Sequence, residues 1–347
     1  MTAALSVAAT YRRLSARRGL VLGLGSAALL LSLILDCVTG PALLPVRAVA
    51  EAILRLTEDR TVDAIVWRIR LPAAVMAVLV GAGLGLSGGI MQTILNNPLA
   101  SCYTLGISAG AGFGAALAIL LGLLLPVPEA YAIPLTAFLF AGVACHAVFM
   151  IGRMKGGAAE ILVLAGIALL FLFQALLSLL QFLAAPEALQ QIVFWLFGSL
   201  QKATWPKTGI VAAAFVLCLP LIARDVWRLM AMTLGDARAE ALGVKVGRVR
   251  LRAFALISVL TGASVAFVGT IGFVGLVAPH IARMLVGEDQ RGFLPASALF
   301  GALLLSLASV ASKIVIPGAV FPIGIVTALI GVPFFLALIL RFRGRGA

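Results

Sequence analysis

VGAGLGLSGGIMQTILNNPLA, residues 80–100, decides how the rest of the chain is read. The stretch is apolar and rich in glycine as far as Leu95. Gly81, Gly85 and Gly89 are four residues apart, so on a helix they share one face. Small residues at that spacing let helix backbones approach closely, which is how helices associate in lipid, where apolar side chains gain little from mutual burial. Asn96 and Asn97 then favour a turn, and Pro98 cannot continue the helix. The stretch therefore reads as a tightly packed membrane helix that ends in a turn. TLGISAGAGFGAALA (104–118) repeats the pattern with Gly106, Gly110 and Gly114.

Composition extends this reading to the whole chain. Its 347 residues are 63% hydrophobic and 11% charged, with a mean hydropathy of +1.16. Soluble domains sit nearer half apolar and about a quarter charged. No polar stretch exceeds roughly 30 residues, too short for a separate core. The chain is expected to be all-α and polytopic, with residues 1–347 forming one transmembrane domain. A spanning helix needs about 20 apolar residues. That ruler gives ten spans: 19–38, 71–92, 104–125, 131–152, 161–184, 206–223, 251–270, 274–287, 294–316 and 321–341. The eighth is too short to cross alone. The first is too long for a signal-peptide core and lacks an A-x-A site, so it is expected to stay. Short surface helices are expected within 40–69 and at 188–199.

Net charge is +13, with 26 Lys and Arg. An even span count puts both ends on one side, and 18 of the 26 fall there, against 8 on the other. The positive-inside rule makes that side cytoplasmic. Neither a basic-aromatic face nor a zinc spacing accompanies the charge, so nucleic acid is not an expected partner. Of the 13 acidic residues only Asp36 falls within a span. Ion-coupled carriers keep carboxylates in the bilayer for function, so their scarcity argues against that class. The four cysteines, Cys37, Cys102, Cys145 and Cys218, have no CxxC spacing and read as small buried residues. His146 and His280 lack partners at metal-ligand spacing, which argues against an intramembrane enzyme and against a metal site. In FVGLVAPHIAR (273–283) His280 reads as structural, beside a bend at Pro279. Gln174, Ser178 and Gln181 share a face of the fifth span, suited either to a wet pathway or to interhelical hydrogen bonds.

TLGDARAEALGVKVGRVRLRAF (233–254) is the most telling polar stretch. Asp236 suits an N-cap, DARAEAL favours helix, and Gly243 suits a C-cap. The pattern predicts a short, rigid knob offered to a partner, within a coupling segment at about 225–250. The sequence has no G-x-x-x-x-G-K-[ST] loop, so ATP, if used, is bound by another subunit.

Eight motifs then occur in one order: RLP (70–72), LSGGIMQ (86–92), NNPLA (96–100), TLGISAGAG (104–112), LGDARAEALG (234–243), GTIGFVGLVAPHIAR (269–283), GEDQRGFLPASALFGA (287–302) and FPIGIVTALIGVPFF (321–335). Together they resemble the FecCD family, over essentially all of the chain after about residue 60. These are permease subunits of type II ABC importers for ferric siderophores, haem, cobalamin and related chelates. The resemblance implies a non-catalytic subunit of a bacterial or archaeal inner membrane that works by alternating access. It implies a homodimer or heterodimer with a second permease, two ATPases that hold ATP and magnesium, and an extracytoplasmic binding protein, with no cofactor on this chain. A ferric siderophore is the first expected cargo; haem, cobalamin and molybdate are alternatives, and an ion-coupled secondary transporter is the rival class.

By the same resemblance Gly235, Asp236, Ala237, Glu240, Ala241, Leu242 and Gly243 couple to the ATPase. Asn97 and Leu99 belong to the inner gate, with Ala159 and Glu160 as its other element. Arg70 and Lys313 are cations that meet the binding protein. The sequence departs from the family pattern at Ala73, where an arginine is common, at Ser309 and Val320, where acids are common, and at Gln290, where a histidine is usual. Lys313 stands where arginine is common, and lysine lacks the bidentate fork.

Overall fold

The computed structural model describes residues 2–42, 44–121, 127–316 and 318–342, and every regular element among them is helical. In chain order these are α1 (Thr2–Val38), α2 (Val46–Ile53), α3 (Arg60–Ala64), α4 (Leu71–Ile94), α5 (Ile107–Leu120), α6 (Glu129–Met154), α7 (Ala159–Leu183), α8 (Pro186–Leu196), α9 (Trp205–Met232), α10 (Asp236–Ala241), α11 (Val246–Val268), α12 (Val274–Val286), α13 (Gln290–Ile314) and α14 (Ile323–Phe342). A π-helical stretch, Ile65–Arg70, joins α3 to α4, and the Asp59 carboxylate caps α3 by accepting from the Thr61 and Val62 amides.

Among the described residues seven helices are long and apolar enough to cross a membrane, and α5, α12 and α14 supply three shorter apolar ones. These are the ten expected spans. The third starts later than expected because residues 101–106 form a turn; its far end, 122–125, lies outside the described residues, as do Arg343 and Arg345. α8 is the short helix expected at 188–199, and α2 and α3 occupy the 40–69 loop.

α4 is the centre of the bundle, packed on α13, α12, α11 and α9, while α5 pairs with α6 and both meet α7. The glycine face explains the arrangement. A Cβ on Gly81 would lie 2.3 Å from the Gly301 carbonyl oxygen, and one on Gly85 2.2 Å from that of Ser297. α4 and α13 thus touch backbone to backbone, and dispersion over that close contact replaces the hydrophobic drive that lipid withholds. Gly110 and Gly114 pack in the same way on Phe140 and Thr136 of α6. Gly106 does not belong to this face: it lies outside α5 with φ +77°, against the Leu170 backbone of α7.

α12 has 13 residues. At about 1.5 Å per residue it falls short of a 30 Å hydrocarbon layer, as expected. Pro279 lies inside it without ending it. Proline cannot donate to the carbonyl four residues back, which is that of Gly275. α4 lies directly against that carbonyl, since a Cβ on Gly88 would lie 1.8 Å from it. His280 meets the Phe334 ring of α14 edge-on at 6.1 Å. No group of three metal-ligating side chains occurs among the described residues. All four cysteines are buried free thiols.

Candidate coupling and gating site

The segment between α9 and α11 forms a defined knob. Gly235 enters it at φ +90° and is itself the N-cap. Asp236 is therefore the first helical residue and not the cap expected for it; its carboxylate instead pairs with Arg250 at 2.9 Å. At the other end Gly243, at φ +81°, donates to Glu240, and Val244 donates to Ala239. This is the doubly bonded glycine terminus that closes a helix sharply. Ala239 is buried in the main core beside Met232 and Val246. Ala237, Glu240, Ala241 and Gly243 are exposed, and Leu242 is 66% exposed. The flanking helices are tied together, because the buried Asp225 of α9 pairs with Arg228 and with Arg252 of α11. α10 is thus a short rigid projection on a braced base.

The first gate candidates lie in the turn after α4. Asn96 adopts φ +44°, a conformation asparagine tolerates better than most residues. Asn97 accepts the Leu99 amide on its side chain at 2.9 Å, which leaves Leu99 51% exposed. The second candidates open α7, where Ala159 packs on the core and Glu160 is exposed in the first turn, favourably placed in the helix dipole.

One residue that sequence reasoning passed over joins these pieces. Arg250, 5% exposed, donates from Nε to the Ile94 carbonyl at 3.1 Å and from Nη1 to the Gly157 carbonyl, besides its bond to Asp236. The signal was present: Val246, Val249, Ala253 and Phe254 are buried at helical spacing, and Arg250 falls on the same face.

At the other end of the bundle the expected docking cations have internal partners. Arg70 is 4% exposed and donates to the Cys37, Val38 and Ala42 carbonyls. Lys313 pairs with the buried Asp36 at 2.7 Å, and Ser309 donates to the same carboxylate oxygen at 2.7 Å. Both cations line a cavity of about 460 Å³ together with Pro41, Leu200 and Phe321. On α7, Gln174 and Ser178 are exposed and Gln181 is half-buried, on a helix that buries little of itself within the chain.

The architecture and motifs recur in known proteins. The model of the FecCD transport family matches residues 28–341. The chain is 40% identical to the hemin transport system permease protein HmuU of Yersinia pestis, over 80% of this chain and 84% of that one. It is 38% identical to the Fe(3+)-citrate import system permease protein YfmE of Bacillus subtilis, over 83% and 85%. A solved structure, described as an inward-facing conformation of a metal-chelate type ABC transporter, superposes with a TM-score of 0.81 at 33% identity, covering 92% of this chain and 99% of that one. With ten apolar helices among the described residues, a braced knob and this breadth of match, the chain belongs to the FecCD transport family, as a permease subunit of an ABC importer.

Proposed function

We propose that this chain, paired with a second permease chain, lines the pathway for a ferric siderophore in a prokaryotic inner membrane, with the α10 side facing the cytoplasm. The observation that carries the reading is α10 itself: a short helix entered at Gly235 and closed sharply at Gly243, with Ala239 buried and Leu242 exposed, suited to a cleft in a moving partner. Two ATPases are that partner, and they hold the ATP and magnesium; this chain performs no covalent step. The Asn97–Leu99 turn and the Ala159–Glu160 helix start narrow the inner mouth. The Gln174–Ser178 stripe faces the second permease across the pathway, since exposed amides face lipid only at a cost.

The binding protein docks at the α2–α3 end. There Arg70 braces the end of α1 and the loop after it, Lys313 pins α1 to α13, and the exposed Arg60, Arg68 and Lys202 provide the charge that orients the partner. Relatives of similar identity are named for Fe(3+)-citrate, hemin and molybdate, so haem and molybdate compete with a siderophore as cargo, and cobalamin competes through the family resemblance alone. The test is reconstitution with the ATPases in proteoliposomes, with binding protein carrying each chelate in turn. Stimulated ATP hydrolysis with uptake of radiolabelled ferric siderophore is the expected result. Uptake that needs no ATPase and collapses with an ionophore would replace the reading with a secondary transporter.

A further inference from the structure

Arg250 touches three separate elements with one planar group. Its Nε bonds the carbonyl of Ile94, the last residue of α4, three residues before Asn97. Its Nη1 bonds the carbonyl of Gly157, two residues before Ala159. Its Nη2 and Nη1 hold the two oxygens of Asp236, the first residue of α10. The Asp236 side chain is 43% exposed and that of Arg250 6%, so the pair runs from the surface into the core. A guanidinium stays charged at any accessible pH and its donors lie in a rigid fork. Pulling one partner away would leave a buried charge short of hydrogen bonds, which is costly. The three contacts therefore hold or yield together.

We propose that Arg250 is a positioning residue that makes the knob and both gate turns move as one unit. The fold does not need it as a brace between α9 and α11, because Asp225 and Arg252 already provide one. α10 otherwise reaches the core through Ala239 alone. A cavity of about 630 Å³ beside the knob, lined by Arg153, Glu240, Lys245 and Arg248, gives the segment room to tilt, and Arg250 sets what tilts with it. The inference rests on the coupling role proposed above for α10.

The experiment compares the native complex with Arg250→Lys and Asp236→Asn in proteoliposomes, with ATPases and loaded binding protein. Arg250→Lys keeps the charge but cannot reach three partners; Asp236→Asn frees the knob while leaving both carbonyl contacts. The readouts are co-purification of the ATPases, basal ATP hydrolysis, its stimulation by binding protein, and chelate moved per ATP. Native ATPase co-purification and basal hydrolysis in Arg250→Lys, with chelate per ATP lower by on the order of tenfold in both variants, is the expected result. Native chelate per ATP in either assembled variant would overturn the proposal. So would loss of ATPase co-purification in Arg250→Lys, which would make Arg250 a brace of the fold. Leu242→Asp separates this from the underlying reading: if its ATPases still co-purify and are stimulated, α10 is not the coupling element at all.

Discussion

Lys313 Nζ lies 2.7 Å from the Asp36 carboxylate, joining α13 to α1 where Asp36 has no exposed surface. Ser309 donates to the same oxygen, and the second carboxylate oxygen has no partner among the described residues. Asp36 is the one acid within an expected span, and the family resemblance makes Lys313 a cation that meets the binding protein. The pair answers both points, since each charge is the other's reason for being there. A buried pair contributes little compared with apolar residues of the same shape, but removing one member strands the other. Lys313→Ala should therefore destabilise the purified protein by about 3–5 kcal/mol. The double variant Asp36→Asn with Lys313→Met should recover most of that loss. Thermal unfolding in detergent checks both, and a double variant no better than Lys313→Ala would count against the pair.

The α4–α12 contact makes a sharper steric prediction. Gly88→Ala places a methyl group 1.8 Å from the Gly275 carbonyl oxygen, where only backbone could give way. Overpacking of this kind costs about 1–3 kcal/mol or more. Gly209, in α9, has nothing within 4 Å of the equivalent position. Gly209→Ala should be neutral or stabilising by up to about 1 kcal/mol, through helix propensity. Comparable unfolding temperatures for the two variants would contradict the backbone contact.

Arg18 Nη1 bonds Asp289 at 2.7 Å, tying α1 to the turn between α12 and α13. Partial burial alone would raise the Asp289 carboxyl, but its bonds to Arg18 and to the Arg291 amide hold it below its ordinary 3.8. A carboxyl lowered on folding contributes stability that is full above its ordinary value and is lost as pH falls through the folded one. Asp289→Asn should thus cost stability at neutral pH, and its deficit should shrink only below about pH 4. Unfolding curves between pH 7 and pH 3 test this; a deficit that closes near pH 6 would require another titrating group.

The sequence exposed the spans because apolar length is a local property, and it exposed α10 because two glycines and a run of helix formers frame six residues. It misplaced Gly106, whose spacing matches Gly110 and Gly114 although the turn at 101–106 takes it off their helix. The resemblance makes Arg70 an outward cation that meets the binding protein, and the sequence gives no sign of its internal acceptors, because the carbonyls of residues 37, 38 and 42 are backbone atoms with no side-chain signature. Arg250 was hidden for the same reason, as its acceptor at Ile94 lies 156 residues away. A long-range bond to a carbonyl leaves no mark on the partner's residue type. Only the periodicity of the arginine's own helix hints that it points inward.

The polar stripe on α7 can be settled by water. Gln174 and Ser178 are exposed within the chain, so a second permease, lipid or the pathway must cover them. The four native cysteines are buried and free, so a new cysteine will give a clean labelling signal. Ser178→Cys should react quickly with a membrane-impermeant, water-soluble thiol reagent in the assembled importer, because a thiol reacts as its thiolate and needs water to form it. Leu172→Cys, also exposed on α7 but at an apolar position, should react at least tenfold more slowly if lipid covers it. Loaded binding protein carrying its chelate should slow labelling at Ser178→Cys alone. Equal slow rates at both positions would put the stripe against lipid or a dry interface, and the pathway would have to run along another face.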